Sequence, residues 1–153
     1  MQVFVDMDGV LADFDTGYAI LFGPHGGKEA DNVDWQKVRA TPGFYASLPP
    51  MPDFDVLWRA LEPYRPIILT GVPSSVPEAS ENKRAWAVRH IGPDVRMICC
   101  RSRDKCLHGK PGDVLIDDWE KHKQRWIDMG GYWITHFTAV QSIRTLQEYL
   151  LKP

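Results

Sequence analysis

Short apolar runs rich in Val, Ile and aromatic residues punctuate the chain at Gln2–Asp6, Pro66–Thr70, Val95–Cys99, Asp113–Asp117 and Tyr132–His136. Their apolarity is continuous rather than alternating, which suits strands covered on both faces. The segments between them read as helices. Ser75-Val76-Pro77-Glu78 has the form of a capping box with an early proline, and Gly92-Pro93 supplies the stop about four turns later. Thr138-Ala139-Val140-Gln141 is a second capping box, opening a last helix with Val140, Ile143, Leu146 and Leu150 on one predicted face. Strands alternating with helices predict an α/β fold, a doubly wound and mostly parallel sheet with helices on both faces.

One connection breaks the rhythm. From Asp6 to Pro66 the chain takes about 60 residues where a crossover needs roughly a dozen. This stretch contains His25-Gly26-Gly27, Trp35, Thr41-Pro42-Gly43 and Pro49-Pro50-Met51-Pro52. Residues 23–52 are therefore expected to form a small inserted cap, flanked by helices near Leu11–Phe22 and Asp53–Leu61. Trp35, Phe44 and Tyr45 are costly to leave in water, which argues against a disordered loop. Residues 1–153 otherwise read as a single domain.

Composition narrows the class. The chain has 153 residues, 44% of them hydrophobic and 25% charged, as in an ordinary globular domain. A net charge of −2 argues against a general nucleic-acid coat or a polybasic membrane binder. No apolar run approaches the ~20 residues of a bilayer span. Met1 leads directly into an apolar strand, so no secretory leader is expected. Cys99, Cys100 and Cys106 make an odd set without C-x-x-C spacing, as expected of reduced thiols in a cytoplasmic protein. The histidines show no metal-ligand spacing.

The candidate chemistry sits at the strand ends. D-x-D occurs at Asp6/Asp8, Asp13/Asp15 and Asp53/Asp55, but only the first follows an apolar strand and precedes a turn-forming glycine, Gly9. The second run ends at Thr70-Gly71 and the fourth at Asp117-Asp118. In open α/β sheets ligands bind beyond the carboxyl ends of the strands. Asp6, Asp8, Asp117 and Asp118 converging there would repel one another unless a hard cation joined them. Mg²⁺ typically takes one or two carboxylates together with phosphate oxygens. The set predicts a Mg²⁺ site that handles a phosphate. Lys83, Lys105 and Lys110 compete to offset the phosphoryl charge. Arg96, Arg101, Arg103, Lys105 and Lys110 also form a basic stretch that would draw in phosphorylated substrates.

Asp6-Met7-Asp8-Gly9-Val10 resembles the first motif of the haloacid dehalogenase (HAD) superfamily, Thr70 the second and Asp117-Asp118 the fourth. The longer string through Leu11-Ala12-Asp13-Phe14 is similar to the 5′(3′)-deoxyribonucleotidase family. So are Pro42-Gly43-Phe44-Tyr45 followed by Leu48 and Pro50, Lys83-Arg84-Ala85-Trp86, Arg103-Asp104-Lys105, and Leu115-Ile116-Asp117-Asp118. The resemblance runs from residue 2 to about residue 118 and implies an HAD-like fold. It implies that Asp6 is the nucleophile, forming an aspartyl-phosphate, and that Asp8 is the acid and base. It assigns Mg²⁺ to Asp6, the Asp8 carbonyl and Asp118, with Asp117 behind them. Phe14, Thr70, Lys83 and Lys105 become substrate contacts, Lys105 matching the phosphate-contacting lysine of the family. Gly71 stands where these enzymes usually carry Ser, the cap is shorter, and Arg39 falls near an aromatic substrate contact.

The expected activity is a Mg²⁺-dependent phosphomonoesterase acting on nucleoside monophosphates. The alternative is an HAD phosphatase for another small phosphoester or a nucleic-acid 3′-phosphate end. A phospho-accepting receiver would place its acidic pair first and its acceptor in mid-chain, the reverse of the order here. The expected partner is a small phosphorylated substrate, with no membrane and no stable nucleic-acid complex; homo-oligomerisation is left open by the sequence.

Overall fold

The computed structural model describes residues 1–26 and 32–151. The apolar runs form one parallel sheet of β1 (Val3–Val5), β2 (Ile67–Gly71), β3 (Arg96–Cys100), β4 (Val114–Asp117) and β5 (Tyr132–Thr135). The strand order is β3-β2-β1-β4-β5, which puts the first strand in the middle. Val5 aligns with Ile68 on one side and Ile116 on the other. Asp6 continues the ladder by donating its N–H to the Ile116 carbonyl at 2.8 Å. The order reverses direction between β1 and β4, so the ligand crevice of such a sheet opens at the end of these two strands.

Alternate residues divide the core. Val3, Val5, Ile68, Val114, Ile116 and Ile134 share the larger cluster with Leu57, Leu61, Trp86 and Leu146. These come from α3 (Phe54–Leu61), α4 (Ala79–His90) and α6 (Ala139–Leu150). Phe4, Leu69, Leu115 and Trp133 form a second cluster with Trp126 of α5 (Lys123–Asp128). The sheet is thus covered on both faces, as its unbroken apolarity requires.

Between α1 (Phe14–Phe22) and α3 lie α2 (Trp35–Arg39) and a 3₁₀ turn at Tyr45–Ser47. Residues 27–31 of the expected insertion, including Gly27, lie outside the described residues. Val38, Phe44, Tyr45 and Leu48 join the main core instead of making one of their own. The segment is also tied to the loop after β1, through Asp13 N–H to Pro49 O at 2.7 Å and Met51 N–H to Leu11 O at 2.8 Å.

Some local expectations shift. The first helix begins at Phe14 and not near Leu11, because Asp13 caps it through the Thr16 N–H while residues 7–12 form a tight loop closed on Met7 O and Ala12 O. Ser75 does not cap α4: the chain turns at Pro73–Val76 and again at Val76–Ala79, burying Val76, and the helix starts after Glu78 with no side-chain cap. Thr138 does cap α6, accepting from Gln141 N–H at 3.3 Å. The buried face of α6 is nevertheless Ala139, Ser142 and Leu146, while Val140 is 71% exposed. Ala139 N–H donates to Asp53 and the Ser142 hydroxyl pairs with His136, which sets this face inward and leaves Val140 outward.

Candidate active site

Asp6 follows the central strand and is buried, with Asp117 ending β4 beside it and Asp118 next in the chain. One carboxylate oxygen from each of the three lies within 4.8 Å of the others. Gly9 makes this approach feasible. Its φ of +82° favours glycine, and a side chain there would run into the Asp118 carboxylate, 3.1 Å from Oδ1.

Lys105 threads between two of these acids. Its Nζ lies 2.8 Å from Asp6 Oδ1 and 2.7 Å from Asp117 Oδ2. Burial alone would lower the lysine pKa, but the charges of Asp6 and Asp117 outweigh it and hold the group above its ordinary range. Burial first, and then the like charge of Asp6, push the Asp117 pKa upward against the opposing pull of Lys105 and the Trp119 N–H. Lys105 is therefore charged, and one ammonium faces more carboxylate than it can neutralise.

Lys83 serves Asp8. It is fully buried, and its Nζ donates to Asp8 Oδ2 at 2.6 Å, Thr70 Oγ1 at 3.0 Å and the Gly71 carbonyl at 2.6 Å. These bonds use all three ammonium hydrogens. The Tyr45 ring centroid lies 4.6 Å from the same Nζ. Burial, and then the Asp8 charge, hold the Tyr45 phenol far above its normal range, so it keeps its proton. The Thr70 hydroxyl is fully buried in this network.

A cavity of about 250 Å³ opens over these groups. Asp6, Asp8, Lys105 and Asp117 line its floor, and Phe14, His25, Trp35 and Tyr45 line one wall. Phe14 stands at the centre of that wall, 5.8 Å from His25 edge-on, 6.1 Å from Trp35 and 6.1 Å from Tyr45 between ring centroids. Ser102, Arg103, Trp119, His122 and Arg125 also line the cavity. Burial first, and then the nearby Lys121, Arg125, Lys105 and Arg103, lower the His122 pKa.

The sites singled out in the sequence thus separate. Asp6, Asp8, Lys83, Lys105, Asp117, Asp118 and Thr70 form one connected region under the cavity, with Phe14 in its wall. Lys110 is elsewhere. Its amide donates to Asp113 at the other end of β4. Three acids of the other D-x-D pairs have structural partners: Asp13 caps α1, Asp15 holds His25 at 2.8 Å, and Asp53 accepts the Ala139 N–H at the start of α6 at 2.6 Å. His25, Ser102, Trp119 and His122 line the cavity without having stood out in the sequence. Only their neighbourhood to strand ends, or to Asp15 across ten residues, could have signalled them.

No protein-family model matches the chain. A Bordetella pertussis protein named "Putative 5'(3')-deoxyribonucleotidase" is 30% identical over 145 residues, covering 77% of this chain and 74% of the relative. A Vibrio phage KVP40 protein of the same name is 31% identical over 130 residues, covering 78% of this chain and 67% of its own. The chain belongs to the 5′(3′)-deoxyribonucleotidase family. This is a family of phosphoric monoester hydrolases within the HAD superfamily. The fold agrees: L-2-haloacid dehalogenase of Xanthobacter autotrophicus superposes with a TM-score of 0.56 over 99% of this chain and 84% of that one, at 13% identity.

The family implies Mg²⁺, and this deoxyribonucleotidase-like site fits it. Oxygen donors from Asp6, Asp117 and Asp118 are gathered, Gly9 leaves room for one of them, and Lys105 supplies too little positive charge. Hard oxygen ligands in excess of local cations are what Mg²⁺ takes. Among the described residues no helix is long and apolar enough to cross a membrane.

Proposed function

We propose that the protein is a cytoplasmic, Mg²⁺-dependent phosphomonoesterase that hydrolyses nucleoside monophosphates through an aspartyl-phosphate. The observation that carries this reading is the division of labour at the end of β1. Asp6 is held by Lys105 among the acids, whereas Asp8, two residues on, is held separately by Lys83. A carboxylate oxygen of Asp6 attacks phosphorus in line, and the bond from phosphorus to the leaving oxygen breaks. Asp8, charged in the free protein, takes up a proton from solvent as the anionic substrate binds and gives it to that oxygen, releasing the nucleoside. It then takes a proton from water, whose oxygen attacks phosphorus, breaking the bond to Asp6 and releasing phosphate.

Asp6 and Asp118 would hold the metal together with the Asp8 carbonyl, with Asp117 orienting Lys105. Bound there, Mg²⁺ supplies positive charge to the phosphoryl oxygens and reduces repulsion between substrate and carboxylates. Lys105 adds charge from the protein side. Lys83 fixes Asp8 and Thr70 beneath the reacting groups. Residues 23–52 act as a small cap, and Phe14, with Trp35 and Tyr45, offers aromatic faces for a base. Arg103 and Arg125 in the cavity lining favour one other reading, a substrate carrying further phosphates such as a nucleic-acid 3′-phosphate end.

Phosphate release from dUMP, dTMP, an aryl phosphate and a 3′-phosphorylated oligonucleotide, with Mg²⁺ and with EDTA, tests the proposal. Mg²⁺-dependent turnover of the mononucleotides is expected. Preferential turnover of the oligonucleotide would favour the second reading, and wild-type turnover by Asp6→Asn would refute the mechanism.

A further inference from the structure

We infer that the Ser102 hydroxyl binds a phosphoryl oxygen of the substrate, and that Gly71 lacks a side chain in order to admit it. The inference rests on the phosphatase reading of the same site. Gly71 ends β2 in register with Cys100 of β3, and Ser102 follows that strand by two residues. A Cβ at Gly71 would overlap the Ser102 hydroxyl and lie 3.1 Å from Ser102 Cβ. Gly71 is not among the glycines with left-handed φ, so the backbone does not demand glycine there. A glycine inside a strand costs roughly 0.5–1 kcal/mol relative to alanine. The closeness of Ser102 is what explains it.

The direction of the hydroxyl follows from local geometry. Ser102 opens the 3₁₀ segment Ser102–His108, in which side chains three residues apart eclipse one another. Ser102 and Lys105 therefore fall on one side of the segment, and Lys105 Nζ reaches Asp6 Oδ1 at 2.8 Å. Both residues line the cavity over Asp6 and Asp8. The Ser102 hydroxyl makes no hydrogen bond with the described residues, while the Thr70 hydroxyl is buried and bonded to Lys83. Ser102 is thus the hydroxyl at this corner that is available to a ligand. An anion held by Lys105 would meet it as a donor, and a hydrogen bond to a charged acceptor is among the stronger ones.

The test compares wild type, Ser102→Ala, Gly71→Ser and the double variant G71S/S102G. Calorimetric binding of inorganic phosphate in Mg²⁺ reads the site without turnover, dUMP kinetics read catalysis, and thermal melting reads the fold. Ser102→Ala is expected to weaken phosphate binding and lower kcat/KM about tenfold or more, without a comparable change in melting. Gly71→Ser should lose activity and stability together, because its Cβ meets Ser102. The double variant moves the hydroxyl across the gap and should recover to within about threefold of wild type.

Wild-type phosphate affinity and kcat/KM in Ser102→Ala would overturn the inference, as would a double variant no better than Gly71→Ser alone. A wild-type protein that binds phosphate but hydrolyses no mononucleotide would count against the proposed function while leaving the role of Ser102 to the binding comparison. A wild type that binds no phosphate would refute both.

Discussion

Strand β4 carries a buried aspartate at each end, Asp113 just before it and Asp117 as its last residue, and they do different work. Asp113 accepts from two backbone amides, Gln2 N–H at 2.7 Å and Lys110 N–H at 3.0 Å. Those bonds close the amino end of the sheet. Asp117 instead shares Lys105 with Asp6 and sits beside Asp118; burial first, and then the like charge of Asp6, oppose its ionised form. Burial is nearly the same at the two ends, at 2% and 3% exposure, so depth alone does not separate a structural acid from a chemical one. The surrounding charge does. Polar donors make a buried carboxylate part of the fold, whereas a surplus of like charge makes it a place for a cation and a phosphoryl group.

The contrast can be broken most sharply at Asp6. Asp6→Asn should lower phosphate release by on the order of 10⁴-fold while the circular dichroism spectrum and melting cooperativity persist. Next comes Lys105. Replacing it by Met leaves buried carboxylates without their ammonium and should cost about 3–5 kcal/mol in denaturant unfolding without metal. Added Mg²⁺ should recover part of that loss, and recovery by Mg²⁺ equal to the wild-type response would count against charge surplus as the cause.

Asp113→Asn and Asp117→Asn then test the two ends directly. The first should lose about 1–3 kcal/mol of stability, with the backbone amides left facing a poorer acceptor, and keep its activity. The second should lose less stability in metal-free buffer, because it relieves like charge, yet lose turnover. Equal stability losses would erase the distinction.

The smallest effect concerns His136, buried with Nδ1 2.8 Å from Ser142 Oγ. Burial lowers its pKa, against a weaker upward pull from Asp53. The unfolded chain therefore takes up this proton first, and stability is lost as pH falls below about 6.5. In His136→Gln the fall in unfolding free energy below that pH should be shallower, by roughly 1 kcal/mol or less.

Much of this was legible in the sequence because strands and their ends are written locally. The five apolar runs lie within a residue or two of the observed strands, and the carboxyl-end rule alone placed Asp6, Asp8, Thr70, Asp117 and Asp118 near one another. What stayed hidden depends on tertiary approach. The lysines could be listed but not sorted: only the fold sends Lys105 to Asp6, Lys83 to Asp8 and Lys110 to the far end of β4. Ser75 has the composition of a cap, but burial of Val76 is satisfied by turns that delay the helix. Val140 carries the right hydrophobicity, but Ala139 and Ser142 take the interface, tied to Asp53 and His136 by hydrogen bonds that no apolar pattern reveals. Ser102 had no motif at all. Its significance comes from the missing side chain across the gap, at Gly71.

The central claim is that Asp6, the first aspartate after β1, carries the phosphoryl group during turnover. Acid-quenching the protein during steady-state hydrolysis of dUMP in Mg²⁺, followed by mass spectrometry of its peptides, addresses that claim directly. The account predicts an acyl-phosphate on Asp6 that forms only with metal present and is missing from Asp6→Asn. Sustained phosphate release with the label on another residue, or with Asp6→Asn turning over as fast as wild type, would contradict it.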